Sequence, residues 1–328
     1  LTVVNLPTHA GEDIRLGAAQ SLVVVSDLNV GSGGSVTLKA GKGITLGGEL
    51  IAGQLSATAG SDLSLTTQVG VMKEIILTNS VGKVSNLTIE QSAPGALTAP
   101  LVIQSLVMAG GNVTIDVDGD LIVNSITGSL GTLTVRSGGS VWIKGLASGG
   151  DFLITAGGSV TLGDRAALGA GRVDSTVEAD TLSVVAGGAI AIYEADNLQI
   201  SELRSTTGAA VTVRAGGNLT LDGAVSASNQ AVSLSSAGVL TLNAAVSTGG
   251  AALSLTAANG LSLSDAADLS SAGGRLALDA GSGMLTIFPV MGMVLGVFSH
   301  IAWGGQGAIH LLTGMVKGLY AFVVFCFV

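Results

Sequence analysis

A repeat of 21 residues runs through the chain between Gly208 and Leu263 and limits what the chain can fold into. Four columns of apolar residues recur at this spacing: Val211, Val232 and Leu253; Val213, Leu234 and Leu255; Leu219, Leu240 and Leu261; and Leu221, Leu242 and Leu263. Within each copy apolar residues alternate with small polar ones, which is typical of a strand with one buried face. A fixed period of this length indicates stacked coils. The sequence therefore predicts a solenoid.

Each repeat has room for three strands. Two strong strands begin at Val211 and Leu219, and Val225 marks a third, shorter one. This pattern predicts an all-β fold, a parallel β-helix with about 19–21 residues per coil. Glycine makes up 50 of the 328 residues and separates the strands at corners such as 216–218, a Gly-Gly-Asn sequence. We expect positive φ angles there, which glycine reaches without a clash of its Cβ and which Asn tolerates.

The register extends in both directions from the clean repeats. The period shortens slightly in earlier coils, from Val113 to Leu133 to Phe152, and lengthens slightly in the last coil, from Leu253 to Leu276. We predict a β-helical shaft over residues 1–287. At the usual spacing between hydrogen-bonded strands, roughly a dozen coils would form a rod about 60 Å long.

Two stretches depart from the pattern. Residues 66–108 contain Pro94 and Pro100 and no Gly-Gly corner, which predicts a hairpin or loop that leaves the rod. Residues 163–178 lengthen the coil that leads from Val160 to Ile190, and they concentrate charge. Insertions in solenoids project from one face. We interpret this one as a tolerated surface insertion, with a binding loop as the alternative.

The composition changes abruptly after residue 287. The stretch 288–328 holds five of the six Phe and the only cysteine, Cys326, and the repeat is absent from it. Residues 308–328 are interrupted only by Lys317, and about 20 apolar residues suffice to cross a bilayer. Two interpretations of the apolar tail at 288–328 remain: a membrane segment at 308–328, or an end that is not native to the rod.

Charge and residue usage exclude several classes of function. A net charge of −9 argues against nucleic acid as a partner, because such binding depends on Lys and Arg. The three histidines are His9, His300 and His310, so the repeats contain no base for a Ser-His-Asp arrangement. Aromatic residues make up 3% of the chain, too few for a saccharide cleft. We therefore expect no enzyme, and we assign no catalytic, cofactor-binding or metal-binding residues.

Two local patterns resemble binding or modification motifs. Residues 116–120, Asp-Val-Asp-Gly-Asp, resemble a calcium loop but lack its downstream Glu, and we interpret Asp116 as a solvent-facing strand residue. Asn86, Asn112 and Asn218 each begin an Asn-x-Thr acceptor pattern for glycosylation. We interpret them as corner residues.

Short sequence motifs recur where the strands begin. These are Gly-Gly-Ser-Val-Thr-Leu at 33–38 and 157–162, Gly-Gly-Asn-Val-Thr-Ile at 110–115, Gly-Gly-Asn-Leu-Thr-Leu at 216–221 and Asn-Ala-Ala-Val-Ser at 243–247. In this repeat style, residues 30–65 and 108–287 resemble the shaft of filamentous haemagglutinin-type exoproteins. The Asn-Pro-Asn motifs of that family's secretion domain are not in this sequence, so no residue of this chain is assigned to transporter recognition.

The resemblance implies a function, a location and partners. It implies a right-handed parallel β-helix that serves as a structural shaft segment of a large bacterial surface adhesin, secreted to the cell surface through an outer-membrane two-partner transporter. The shaft would present a tip that binds a host or bacterial surface receptor or a glycan. The alternatives are a carbohydrate-active β-helix enzyme and the delivery shaft of a contact-dependent toxin.

Overall fold

The computed structural model describes residues 1–4, 6, 8–66, 71–77, 86–91, 100–145, 149–163, 179–194, 196–287 and 309–310. In these residues the regular structure is β-strand throughout, arranged in about 11 stacked turns, and there is no helix. In chain order the strands are β1 (Thr2–Val3), β2 (Asp13–Ala18), β3 (Leu22–Val24), β4 (Leu28–Ala40), β5 (Ile44–Leu46), β6 (Leu50–Ala59), β7 (Leu63–Thr66), β8 (Val71–Leu77), β9 (Leu87–Gln91), β10 (Leu101–Ile103), β11 (Leu106–Ala109), β12 (Val113–Val117), β13 (Leu121–Val123), β14 (Ile126–Ser129), β15 (Leu133–Ser137), β16 (Val141–Ile143), β17 (Gly149–Ala156), β18 (Val160–Leu162), β19 (Ala179–Ala186), β20 (Ile190–Glu194), β21 (Leu198–Ser205), β22 (Val211–Ala215), β23 (Leu219–Leu221), β24 (Val225–Ser226), β25 (Val232–Ser236), β26 (Leu240–Leu242), β27 (Val246–Ser247), β28 (Leu253–Ala257), β29 (Leu261–Leu263), β30 (Leu269–Ser270), β31 (Leu276–Asp279), β32 (Leu285–Ile287) and β33 (Ile309–His310).

Two parallel ladders run the length of the stack and a third accompanies them over part of it. The first ladder follows β1, β3, β5, β7, β9, β12, β15, β17, β19, β21, β23, β26, β29, β32 and β33. The second follows β2, β4, β6, β8, β10, β13, β16, β18, β20, β22, β25, β28 and β31. The third joins β8, β11 and β14, and again β21, β24, β27 and β30. The predicted all-β parallel solenoid is therefore confirmed.

The inward residues form the columns that the repeat predicts. Leu240 lies between Leu219 and Leu261 in the first ladder, and Val232 lies between Val211 and Leu253 in the second. All of these side chains are buried in one continuous core. Because each coil places like residues on like residues, every apolar side chain in these columns is covered by the coil above and the coil below.

The earlier coils keep the same logic with shorter spacings. Val113, Leu133 and Phe152 are successive partners in the first ladder, as their spacing predicts. In the second ladder Val160 pairs directly with Ile190. The strands before and after the insertion therefore keep the register of the ladder. Residues 164–178 of the expected insertion lie outside the described residues.

The hairpin or loop expected within 66–108 is not what the described residues of that stretch form. Strands β8, β9, β10 and β11 all pair in the stack, and Ile75 is buried against the core. The sequence pattern does not predict that β8 pairs in the stack, because its pairing with β6 is irregular. Met72 opposes Leu55, but Ile75 opposes Ala57. An extra residue in one strand shifts the inward positions by one and breaks the alternation. Residues 67–70, 78–85 and 92–99 lie outside the described residues.

Most of the apolar tail also lies outside the described residues. Its two described residues, Ile309 and His310, pair in parallel with Leu285 and Thr286 of the last coil. Within the part of the chain that the structure describes, no helix is long and apolar enough to span a membrane.

The glycines at the corners have two different physical roles. Gly249 and Gly250 have positive φ angles of 61° and 131°, as expected for such corners. Gly217 does not, and it is required for another reason: a Cβ built on it would lie 2.5 Å from Asn197 Oδ1. A Cβ on Gly157 would likewise overlap the carbonyl oxygen of Gly138 in the preceding coil. At these corners glycine allows one backbone to lie directly on another.

The register can be tested with two neighbouring substitutions. Leu240→Asp places an unpaired charge in the core and should lower the free energy of unfolding by roughly 3–5 kcal/mol. Thr241→Asp, at the next position, faces outward and should change it by less than about 0.5 kcal/mol. Thermal or urea unfolding measures both. Equal losses in the two variants would contradict the register.

The close approach of the corners can be tested with a matched pair of glycines. Gly157→Ala should destabilise the rod by about 1–3 kcal/mol, since the added methyl group must displace the coil beneath it. Gly17→Ala should have no such cost, because a Cβ at Gly17 meets no atom within 4 Å and its φ is not positive. Similar melting temperatures for the two variants would show that the coils are not packed as closely as described.

Candidate functional site

At several corners of the rod, side-chain oxygens of successive coils lie one above another and accept backbone hydrogen bonds. The backbone N–H of Asn86 donates to Asp62 Oδ1 at 2.8 Å, and that of Asn112 donates to Asn86 Oδ1 at 3.1 Å. The N–H of Thr132 then donates to Asn112 Oδ1 at 3.0 Å. Each corner side chain therefore satisfies a backbone donor at the start of the coil that follows it.

Two further runs repeat this arrangement at other corners. In one, Asp120 Oδ1 accepts from the N–H of Ser140 at 2.6 Å, and Ser140 Oγ accepts from that of Ser159 at 3.1 Å. In the other, Asn197 Oδ1 accepts from the N–H of Asn218 at 2.7 Å, and Asn218 Oδ1 accepts from that of Val239 at 2.8 Å. We define these three sets as the corner runs.

The corner runs give the Asn-x-Thr patterns a structural explanation. Asn86, Asn112 and Asn218 are all members of a run, and none of them has a positive φ. The expectation that Asn serves at these corners because it tolerates positive φ is therefore wrong for these three. Their side chains serve instead as acceptors for a backbone donor one coil away.

Buried hydroxyl groups close several of the turns. Ser236 is almost fully buried, and its Oγ donates to the carbonyl oxygen of Gly217 at 2.8 Å and accepts from the N–H of Gly238 at 3.0 Å. Ser137 makes the equivalent contacts at an earlier corner. Glu194, also buried, accepts at Oε1 from the N–H of Asp196 at 3.1 Å. Sequence reasoning missed these groups, although a Ser two residues before a corner Gly is a signal that could have found them.

The acidic cluster at 116–120 is divided between two environments. Asp116 faces solvent in β12, between Glu90 of β9 and Arg136 of β15 in register, which is the solvent-facing position expected for it. Asp120 belongs to a corner run, so one of its oxygens already has a backbone partner. Among the described residues, no group of three or more His, Cys, Asp or Glu could hold a metal ion.

The two described histidines, His9 and His310, lie near the ends of the stack. His9 is exposed near the first coil, with its Nδ1 3.3 Å from a carboxylate oxygen of Glu12. His310 belongs to β33, and His300 lies outside the described residues.

Small hydroxyl residues recur on the outward face. Thr212 and Ser233 continue one outward column along the second ladder, whereas Thr220 and Thr241 continue another along the first. The two columns therefore lie on different faces of the rod. These four residues therefore do not form two hydroxyl columns side by side on one face.

One part of the outward face is apolar and aromatic. Trp142 is 42% exposed, lies in register with Ile122 of β13, and is followed two residues later by Lys144, whose Nζ lies 4.3 Å from the centroid of a Trp142 ring. Val102 precedes Ile122 in the same outward column. We call Val102, Ile122, Trp142 and Lys144 the Trp142 surface. This surface combines an exposed aromatic ring with a cation above it.

Comparison of the chain with family models, with curated proteins and with solved structures finds no match. The class of protein is therefore defined by the fold itself, a parallel β-solenoid.

The corner runs can be tested at Asn218. Asn218→Ala removes the acceptor for the N–H of Val239 and should lower the free energy of unfolding by about 1 kcal/mol. Asn218→Asp keeps an oxygen at this position and should cost less. Asn243→Ala is the control, because it breaks only an exposed side-chain bond to Asp222. If urea unfolding shows the same loss for Asn218→Ala and Asn243→Ala, the run has no stabilising role.

Proposed function

We propose that the chain is a structural shaft segment of a large secreted bacterial surface adhesin of the filamentous haemagglutinin type. In this role the shaft holds a binding tip away from the cell. The observation that carries the proposal is the stacking of like residues through the rod, together with the recurring Gly-Gly motifs at its corners. The proposed partners are an outer-membrane two-partner transporter and, at the tip, a surface receptor or a glycan.

The stack has the mechanical properties that a spacer needs. Each coil bonds only to its two neighbours, so length is added without changing the cross-section. Strand partners lie about one coil apart in sequence, as from Leu219 to Leu240, so the chain can fold coil by coil as it leaves a transporter.

The outward surface fits a spacer as well. Small hydroxyl residues such as Thr241 and Ser262 cover the last regular coils, and they offer few anchors for a tight interface. The Trp142 surface is an exception. A substitution there tests whether the rod itself binds a partner or only holds the tip at a distance.

The proposal is tested on source bacteria that display the intact protein. Antibody raised against this chain should label unpermeabilised cells, and deletion of the reading frame should reduce adhesion to host cells or coated surfaces. In-frame deletion of residues 211–231 removes one whole coil and should preserve adhesion, because Val232 then takes the place of Val211 above Ile190.

Matched variants make the outcome decisive. Deletion of residues 211–220, which breaks the register, should abolish folding and display. Trp142→Ala should leave adhesion unchanged if the rod only spaces the tip. Absence of surface labelling, or turnover of an acidic polysaccharide that is lost in Asp118→Asn, would contradict the shaft function.

A further inference from the structure

One corner run stops one coil before an Asn-Gly pair. The N–H of Leu219 donates to the carbonyl of Val239, and that of Leu240 to the carbonyl of Gly260, at 2.9 and 3.0 Å. Asn218, Val239 and Gly260 therefore occupy the same corner position in successive coils. Asn218 supplies an acceptor to the N–H of Val239, but Val239 has no side-chain oxygen for the N–H of Gly260.

The N–H of Gly260 is left in an unusual state. Gly260 is buried, and its N–H donates to none of the described residues. Buried backbone donors without a partner are rare in folded proteins. This nitrogen directly follows Asn259, the one Asn in the sequence that precedes a Gly. The side chain of Asn259 is exposed, and its Nδ2 donates only at 3.3 Å, to the carbonyl oxygen of Ala237.

Other corner asparagines lack this combination. After Asn86, Asn112 and Asn218, the next backbone N–H donates to a carbonyl of the following coil, at 2.9, 2.8 and 2.9 Å. Each of these nitrogens also belongs to a residue with a branched side chain, whereas Gly260 has no Cβ to hinder approach to its nitrogen.

We propose that Asn259 is a site of spontaneous deamidation, with the backbone nitrogen of Gly260 as the nucleophile. This nitrogen loses its proton to water and bonds to Asn259 Cγ, while the Cγ–Nδ2 bond breaks and Nδ2 takes a proton from water and leaves as ammonia. The cyclic imide is then opened by water to aspartate or isoaspartate. The net reaction consumes one water and releases one ammonia, with no oxidant or reductant.

The modification would alter the last regular coils. Isoaspartate adds a methylene group to the backbone, so the corner would no longer match its neighbours. Gly283 lies directly on this corner in the next coil, where even a Cβ would overlap the carbonyl oxygen of Asn259. Deamidation would therefore loosen the stack from this corner. This chemistry is independent of the proposed adhesive role.

The experiment is incubation of the full chain in mildly alkaline buffer at physiological temperature, with peptide mass spectrometry at each Asn over time. Asn259 should convert faster than Asn218 by at least about tenfold, and both aspartate and isoaspartate should form. Equal rates at Asn259 and Asn218 would overturn the proposal.

Variants at the preceding corner test the cause without changing the Asn-Gly pair. Val239→Asn and Val239→Ser both supply an oxygen for the N–H of Gly260. They should slow conversion roughly fivefold, the factor for a bond of about 1 kcal/mol. Val239→Leu supplies none and should react like the parent. Circular dichroism checks that the variants are folded. The same rate in all three would show that the free N–H does not control the reaction.

Discussion

The structure depends on one constraint: each coil must lie directly on the backbone of the coil before it. The hydrogen bonds that hold the rod together are mostly between coils, so every outward-facing and inward-facing position is repeated at strand spacing. The core follows from this, because Leu240 can be covered only by the residues at its own position in the neighbouring coils, Leu219 and Leu261. The stack therefore selects like residues at like positions.

The same constraint explains the chemistry of the corners. Where one turn lies on another there is no room for a Cβ, so Gly157 lies on Gly138 and Gly187 lies on Gly157. Where the backbone donor just before a strand would otherwise be unpaired, a side-chain oxygen from the coil beneath accepts it, as Asn218 does for Val239. Glycine therefore occupies the corner positions where two backbones approach closely, and small polar residues occupy those where a backbone donor needs an acceptor.

The outward side chains are repeated at the same spacing but are not covered by a neighbouring core, so their chemistry can vary from coil to coil. In the last regular coils many of them are Thr and Ser, such as Thr241 and Ser262, which suit a strand surface. Trp142 differs because its ring extends from the sheet with Lys144 over one face. The proposed shaft role requires only the stack, whereas any contact made by the rod itself would depend on side chains such as these.

Because each coil bonds only to its neighbours, a chemical change at one corner affects mainly the adjoining coils. The corner of Asn259 and Gly260 is the proposed place of such a change, because Val239 beneath it supplies no acceptor. A break at one corner leaves distant coils intact but removes the support of the next one. Chemical damage at this corner would therefore act first on the coils next to it.

The sequence by itself determined the fold class, the inward columns and the lengthened coil from Val160 to Ile190, because alternation and period translate directly into which residues face inward. Only the tertiary structure decided that β8 belongs to the stack, since the irregularity between Met72 and Ile75 removes the alternation on which sequence reasoning depends. It also decided why Gly217 and Asn218 lie at their corner. Their roles depend on atoms of Asn197 and Val239 in the adjoining coils, and a local pattern contains no information about which atoms those are.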